Sequence, residues 1–404
     1  MRIVHYLQEI DFAKGGVVRA VLDLATGAHQ RGHEVSIVTW NATDAPPEWK
    51  DNGPEIIEIE RPAGALGLFS KGQLGTIDRH VRSADVLHLH AIWTNANNQW
   101  AKLARAAGVP YVVSIHGMLD DWCMAQRPTK KRVYLKLTGN ATLAGAAIVH
   151  STAQGEWDQA KKWIPGAGDA GAHKGAVVPL VFDLAPYRDL PGPGLANDAY
   201  GPGGTGDIDD RPVVLFLSRI HEKKQPDVFV RMAAELTARG VDATFVIAGT
   251  PEDEAYGERI RALAESCARE KGVENRVRFV GLVTGDLKTS LYERADVFAL
   301  PTSQENFGFV FPEALVCATP VVTTKGVDTW PELVGSGGAV TAEATPEAFA
   351  DAVEAMLKDD AKRAQMGADG RAWVFSDLDP EVVAERFEQM YERARTGAPA
   401  GASA

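Results

Sequence analysis

The stretch Val297-Phe298-Ala299-Leu300-Pro301-Thr302-Ser303-Gln304-Glu305-Asn306-Phe307-Gly308-Phe309-Val310-Phe311-Pro312-Glu313-Ala314-Leu315 decides how this 404-residue chain folds. Val297–Leu300 is an apolar run with the length of a buried strand. A polar loop holding Gly308 follows. The chain then turns apolar at Phe311, with Pro312 and Glu313 behind it, which suits the first turn of a helix over Phe311–Cys317. Strand, loop and helix in that order form the repeating unit of a parallel sheet with helices on its faces.

The same unit recurs on both sides of this stretch. Strands are expected at Val213–Leu217, Thr244–Ala248, Arg276–Phe279 and Pro320–Thr323, with helices at Pro226–Arg239 and Ala255–Lys271. Toward the N-terminus, strands are expected at Ile3–Leu7, Glu34–Thr39, Val86–His90, Tyr111–Ile115 and Ala147–His150. Helical spacing marks Val17–Gln30, Asn97–Ala106 and Ala153–Trp163. Near residue 186 the alternation stops, and Pro191-Gly192-Pro193-Gly194 and Gly201-Pro202-Gly203-Gly204 read as loop material. The expected organisation is therefore a first doubly wound α/β domain over 1–185, a Gly/Pro-rich linker over 186–210 and a second such domain over 211–379. A last amphipathic helix over Glu381–Arg395 is entered through Asp379-Pro380. The small, polar tail at 396–404 is expected to fray. Two such domains leave a cleft between the C-terminal edges of their strands, where ligands of open α/β sheets bind.

Composition narrows the class. Hydrophobic residues make up 45% of the chain, enough for two cores, which excludes a disordered protein. The three cysteines, Cys123, Cys267 and Cys317, are sparse and lack paired spacing, so neither a disulfide framework nor a structural zinc site is expected. A formal charge of −12 argues against nucleic acid as a partner. No apolar run reaches the roughly 18 residues that span a bilayer. The N-terminus enters a strand directly without the pattern of a signal peptide, so cytoplasmic residence is the expectation.

Three loops that follow strands can carry chemistry. Lys14-Gly15-Gly16 precedes a helix, where glycines admit an anion to the helix N-terminus; it also reads as a plain turn. Ser218-Arg219-Ile220-His221-Glu222-Lys223-Lys224 sets an Arg and Lys at one strand end, which suits a diphosphate, or a solvated charge run. In the third loop, N–H groups around Phe307–Phe309 can hold a phosphate or sugar hydroxyl, and Glu305 and Glu313 can accept hydrogen bonds from hydroxyls. Glu313 equally reads as a first-turn acid that favours the helix dipole.

Glu305 and Glu313, flanked by Asn-Phe-Gly-Phe and Phe-Pro-Glu-Ala-Leu, resemble the E-x7-E signature of retaining GT-B glycosyltransferases of family 4, the glycosyl transferases group 1. The resemblance extends over nearly the whole chain. Arg219 and Lys224 match the family's phosphate-binding pair. Arg278-Phe279-Val280-Gly281-Leu282 resembles the loop that meets the nucleotide base, Gly15-Gly16 the N-terminal glycine loop, and Ile115-His116-Gly117-Met118-Leu119 the sugar-facing His segment. The resemblance implies two Rossmann-like domains, a nucleotide-diphosphate-sugar donor and no metal or other cofactor. It implies that Arg219 and Lys224 neutralise the leaving diphosphate and that Glu313 binds the ribose. Glu305 contacts the donor sugar near the reacting face. His116 bonds a sugar hydroxyl from the opposite domain, and Gly16 approaches the distal phosphate. Leu282, Asn306, Phe307, Gly308 and Phe309 belong with Gly15 and Gly16 to donor binding. Retention follows from front-face attack assisted by a phosphate oxygen, and the last helix crosses back onto the first domain. One departure stands out: Gln225 occupies the position after the Lys where the family often has Gly. The insertion 191–210 reads as a surface excursion.

Other features stay open. His88 and His90 share one face of a strand; they suit a structural or acceptor-side role better than a metal, for which no third ligand is evident. His90 and Trp93 are acceptor-side candidates, and Trp100 and Trp122 lie near the same loops, as sugar platforms or as core. Arg127, Lys130, Lys131, Arg132 and Lys136 form a basic cluster that can contact the inner face of a membrane holding a lipid-linked acceptor, or can be a solvated helix face. The expected function is transfer of a hexose-type sugar to a hydroxyl of a saccharide or lipid-linked saccharide, in polysaccharide or glycoconjugate synthesis. The rivals are a GT-B sugar-nucleotide epimerase, a two-domain sugar-binding protein and a non-catalytic partner subunit that binds the sugar nucleotide.

Overall fold

The computed structural model describes residues 1–64, 66–167, 174–202 and 204–397. They form two compact units. The first comprises Met1–Val181 with the segment from Pro380, and the second comprises Phe182–Asp379.

The first unit holds a seven-stranded sheet. Its strands are β1 (Arg2–Tyr6), β2 (Glu34–Thr39), β3 (Glu55–Glu58), β4 (Val86–His90), β5 (Tyr111–Ser114), β6 (Ile148–Ser151) and β7 (Gly175–Val177). They lie in the order β3-β2-β1-β4-β5-β6-β7, and every recorded pairing is parallel. Its apolar side chains bury on both faces. On one face Tyr6, Leu87, Leu89 and Val113 pack with Trp100 and Ala104 of the helix Asn95–Ala107. On the other Ile3, Ile37 and Val112 meet Val18, Val21 and Ala25 of the helix Gly16–Gln30, together with Val383, Phe387 and Tyr391 of the last helix, Pro380–Thr396. Trp100 is thus a core residue, stacked on Tyr6 with ring centroids 4.7 Å apart.

The second unit holds a six-stranded sheet. Its strands are β8 (Val213–Leu217), β9 (Thr244–Ala248), β10 (Val277–Gly281), β11 (Val297–Ala299), β12 (Val321–Thr323) and β13 (Ala339–Thr341). The order is β10-β9-β8-β11-β12-β13, again parallel throughout. In both sheets the chain winds outward from one strand, then returns to wind the other way. The reversal falls between β1 and β4 in the first sheet and between β8 and β11 in the second. Such switch points leave a crevice at the carboxyl ends of the two strands.

The segment expected as a linker over 186–210 belongs instead to the second unit. Ala196 and Tyr200, four apart, are buried on the short helix Gly194–Tyr200. Ser290 of the helix Gly285–Arg294 fastens it, accepting from the Ala196 N–H at 3.0 Å and donating to the Gly192 carbonyl at 2.6 Å. The glycines mark the helix ends here, and the boundary between units falls at Val181/Phe182 rather than at 185. Of the tail expected to fray, residues 398–404 lie outside the described residues.

Candidate active site

The switch point of the second sheet brings together the loop after β8 and the loop after β11. The Lys223 carbonyl joins them. It accepts from the Ser303 N–H at 2.8 Å, the Ser303 hydroxyl at 3.0 Å and the Thr302 hydroxyl at 3.1 Å. A third loop, after β12, braces the second. The Gly326 carbonyl takes the Glu305 N–H at 3.0 Å, the Glu305 carbonyl takes the Asp328 N–H at 2.9 Å, and the Phe307 carbonyl takes the Thr329 hydroxyl at 3.1 Å. Asn306 donates its amide to Asp328 at 3.0 Å.

This bracing places Lys224 and Glu305 side by side, and their charged groups form an ion pair. Lys224 is 9% exposed. Burial, with the charges of Lys223 and Arg219 nearby, pushes its ammonium down to about 7. Arg219 differs: its side chain is 70% exposed and bonds Glu252 at 2.7 Å. An exposed pair of this kind is worth about 0–1 kcal/mol, so an incoming anion displaces it at little cost.

Gln225, standing where the resemblance expects glycine, has φ +51° and ψ 52° at the start of the helix Pro226–Ala238. The left-handed turn that a glycine adopts freely is kept here by a side-chain-bearing residue. The lysine is thus delivered to the same place at a cost in backbone strain. Gly308, at φ +67°, is fixed by packing as well: a Cβ there would lie 2.7 Å from the Phe311 ring and 2.8 Å from Glu305 Cγ.

Glu313 lies in the first turn of the helix Val310–Val316. Lys288 reaches one of its oxygens at 2.7 Å and the Tyr292 hydroxyl donates to the other at 3.2 Å. Neither partner was singled out in the sequence, since both lie more than twenty residues away on another helix. Phe307 is buried and packs edge-on against Phe309, centroids 5.1 Å apart. Leu282, just beyond β10, is 69% exposed, an unusual placing for a leucine. The loops of this unit thus gather Arg219, Lys224, Glu305, Asn306, Gly308 and Glu313 around one sheet edge. A hollow of about 490 Å³ beside Arg211 and Arg294 opens at the amino ends of β8 and β11, the opposite edge.

The other candidates belong to the first unit. Gly15 caps the helix Gly16–Gln30 at φ +103°, ψ −171°, a conformation open essentially to glycine alone. Its carbonyl takes the Val18 N–H at 3.3 Å, and the first-turn N–H groups have no acceptor within the helix. His116 follows β5 at φ +48°. The buried Glu156 holds the turn behind it, accepting from the Gly117 N–H, and from the Thr152 N–H at 2.5 Å and hydroxyl at 2.9 Å. Trp93 spans to the same turn, its indole N–H bonding the Met118 carbonyl at 3.2 Å and its ring edge-on to Tyr134.

His90 is buried at the end of β4, and its ring joins a line of imidazoles. His90 Nδ1 lies 3.2 Å from His116 Nε2, and His90 Nε2 lies 3.0 Å from His5 Nδ1. His88 bonds the Tyr391 hydroxyl at 2.9 Å and the Ser114 hydroxyl at 2.7 Å. Ser114 in turn meets His150 Nδ1 at 2.6 Å, and His150 Nε2 meets the Val178 carbonyl at 2.8 Å. His5 is the third ring that the sequence reading lacked; one nitrogen from each of His5, His88 and His90 falls within 4.8 Å of the other two. Those of His88 and His90 are taken up by hydrogen bonds, so a metal ion would have to replace them. Desolvation lowers all five rings, with His5 and His116 near 3 and His150 near 4, so each is neutral at pH 7.

The basic cluster divides. Lys131 turns inward to the Cys123 carbonyl and to its sulfur at 3.0 Å, 5.3 Å over the Trp93 ring, and Arg132 lies over Trp163. Trp122, Val133 and Leu137 are exposed beside it. Among the described residues, no helix is long and apolar enough to cross a membrane.

Residues 204–373 match the family model described as Glycosyl transferases group 1, and residues 15–170 match that of the Glycosyl transferase 4-like domain. D-inositol 3-phosphate glycosyltransferase of Kineococcus radiotolerans is 30% identical over 386 residues, covering 88% of this chain and 85% of that one. Alpha-D-kanosaminyltransferase of Streptomyces kanamyceticus is 34% identical over 340 residues, 76% of this chain and 78% of that one. Among solved structures, Anabaena HepE in complex with UDP superposes with a TM-score of 0.72 at 19% identity, covering 97% of this chain and 100% of that one. Sucrose-phosphate synthase of Thermosynechococcus elongatus reaches 0.68 at 19% identity, covering 98% of this chain and 100% of that one. At these identities the likeness to solved structures is one of fold, the GT-B fold.

Proposed function

Because the chain belongs to the glycosyl transferases group 1 and is a glycosyltransferase, we propose that it moves a hexose-type sugar, with retention, from a nucleotide-diphosphate-sugar to a hydroxyl of a saccharide or lipid-linked saccharide. The observation that carries this reading is the buried Lys224 beside Glu305 at the switch point of the second sheet. A buried lysine held near neutrality gains its full charge when a diphosphate arrives. Arg219, exposed and weakly held, closes on the same group.

In the reaction, the bond from the anomeric carbon to the diphosphate oxygen breaks, and positive charge develops on the sugar ring. Arg219 and Lys224 take up the charge growing on the leaving diphosphate, the task a metal ion performs elsewhere. Glu305, released from Lys224 as the lysine turns to phosphate, accepts from sugar hydroxyls and favours the cationic ring. Glu313, already fixed by Lys288 and Tyr292, accepts from the ribose hydroxyls. The acceptor oxygen attacks the face the diphosphate leaves, and its proton passes to a phosphate oxygen. Gly15, Gly16, His90, Trp93 and His116 serve this reaction from the first unit, and a role in polysaccharide or glycoconjugate synthesis follows from the acceptor class. HepE, described with UDP and with UDP-glucose, favours uridine nucleotides as the first donors to try.

Thermal shifts with UDP, GDP, ADP and dTDP, then with their sugar conjugates, test the reading. A ligand at about a hundred times its dissociation constant adds about 2.7 kcal/mol to the folded state. No shift with any of them, at concentrations where Lys224→Ala and the parent behave alike, would overturn it.

A further inference from the structure

His88 and His150 admit a single proton arrangement. His150 Nε2 faces the Val178 carbonyl at 2.8 Å and must carry the proton. Its Nδ1 is then bare, so the Ser114 hydroxyl donates to it at 2.6 Å. Having spent its proton, Ser114 accepts from His88 Nε2 at 2.7 Å, and His88 Nδ1 accepts from the Tyr391 hydroxyl at 2.9 Å. Every donor has an acceptor, with both rings neutral.

The second line, His5–His90–His116, has two arrangements on paper, because each imidazole can pass its proton one way or the other. They differ at the closed end. His5 is 0% exposed, and its Nε2 has no hydrogen-bond partner among the described residues. One arrangement leaves a bare nitrogen there, and the other a buried N–H with no acceptor. An orphaned buried N–H is the rarer defect in folded proteins. His5 therefore carries its proton on Nδ1 and donates to His90 Nε2 at 3.0 Å, and His90 Nδ1–H donates to His116 Nε2 at 3.2 Å. His116 Nε2 is then a filled acceptor. The proton of His116 sits on Nδ1, the nitrogen to which no hydrogen bond is assigned within the described residues.

We propose that His5 and His90 are positioning residues that lock His116 as the neutral Nδ1–H tautomer, so that His116 meets a sugar oxygen as a hydrogen-bond donor. The proposal rests on the glycosyl-transfer reading for the identity of the ligand, but not for the tautomer. Because the line is closed at Nε2 of His5, it has no second outlet through which a proton could be carried; it sets a tautomer and does not relay a proton. The strained φ of His116 and the grip of Glu156 on Gly117 hold the ring in register with His90.

Long-range proton–nitrogen NMR spectra of the full chain labelled with 15N-histidine read the tautomer directly, with His116→Gln assigning the signals. The expected result is a protonated-type Nδ1 and a bare-type Nε2 for His116 at neutral pH. His90→Phe keeps a planar ring but removes the donor, so the His116 signals should move toward the Nε2–H form. In the same variant kcat/KM for transfer should fall by about tenfold or more, while the dissociation constant of the free nucleoside diphosphate stays unchanged. If His90→Phe does not fold, His5→Phe removes the donor to His90 and tests the same line. A proton on His116 Nε2 in the parent, or His116 signals that stay in place in a folded variant, overturns the proposal. Failure of the glycosyl-transfer reading looks different: no nucleoside diphosphate binds, whatever the tautomer.

Discussion

Binding of a nucleoside diphosphate should be accompanied by uptake of a proton above pH 7, because the free protein holds Lys224 at about 7. The sign follows from the shift. The lysine lies below its ordinary value of about 10.4, so its burial costs stability below pH 7, and that cost is relieved as pH rises toward the unfolded value. A diphosphate reverses the shift by favouring the ammonium. At pH 8 about one protein molecule in eleven has Lys224 charged, so if only that form binds, the apparent dissociation constant weakens about tenfold relative to pH 6. It weakens by about another tenfold at pH 9, until the bound-state pKa is passed. Nearly one proton is taken up per ligand at pH 8. Calorimetry in two buffers of different ionisation enthalpy measures that number. Working between pH 7.5 and 9 avoids the terminal phosphate of the nucleotide, which titrates lower. Lys224→Arg keeps the charge without the titration, and its affinity should be flat with pH. Zero uptake by the parent, or a slope that persists in Lys224→Arg, refutes the reasoning.

Four further outcomes are expected. Gln225→Gly should stabilise the protein by about 0.5–1 kcal/mol, the left-handed strain relieved less the freedom gained by the unfolded chain, read from urea midpoints. Gly308→Ala should destabilise by about 1–2 kcal/mol and lower transfer, because the new Cβ meets Glu305 Cγ; a variant with parental melting and rate contradicts the packing. Glu305→Ala should remove most transfer while free-nucleotide affinity near pH 7 is kept, and unchanged turnover would sink its role. Transfer should persist in EDTA; a loss reversed only by added metal would overturn the metal-independent chemistry proposed.

Four inner strands were legible to the residue: Glu34–Thr39, Val86–His90, Val213–Leu217 and Thr244–Ala248 all stand where the sequence sets them. Those that escaped have weaker patterns. The edge strand β3 has charged ends, Glu55 and Glu58, and the helix Lys71–Ser83 buries only Ile77 and Val81. That helix carries a capping box of Ser70 and Gln73, a local signal that would have found it. In the site, Arg219, Lys224, Glu305 and Glu313 were visible through spacing and resemblance. Their supports were not. Lys288 behind Glu313, the Lys223 carbonyl under Ser303, and His5 behind His90 act across 25, 80 and 85 residues. A histidine in an apolar strand carries no local mark of the partner that topology brings to it. Gln225 shows the converse: its type argued against the turn, and the turn forms regardless.

The place of Tyr391 has a consequence for biosynthesis. With Val383, Phe387 and Met390 it completes the core of the first unit, and its hydroxyl bonds His88, 303 residues earlier. A ribosome that has finished Val181 must still add the whole of the second unit before that helix exists. At ~5–20 residues per second this is a wait of roughly 10–40 s. During it, the face that includes Ile3, Val112 and Ile148 lacks part of its cover. The first unit is thus begun first and finished last, and a nascent chain stalled before Pro380 exposes a sticky surface that chaperones recognise. A stop codon in the last helix would leave the second unit intact while the first stayed permanently unfinished.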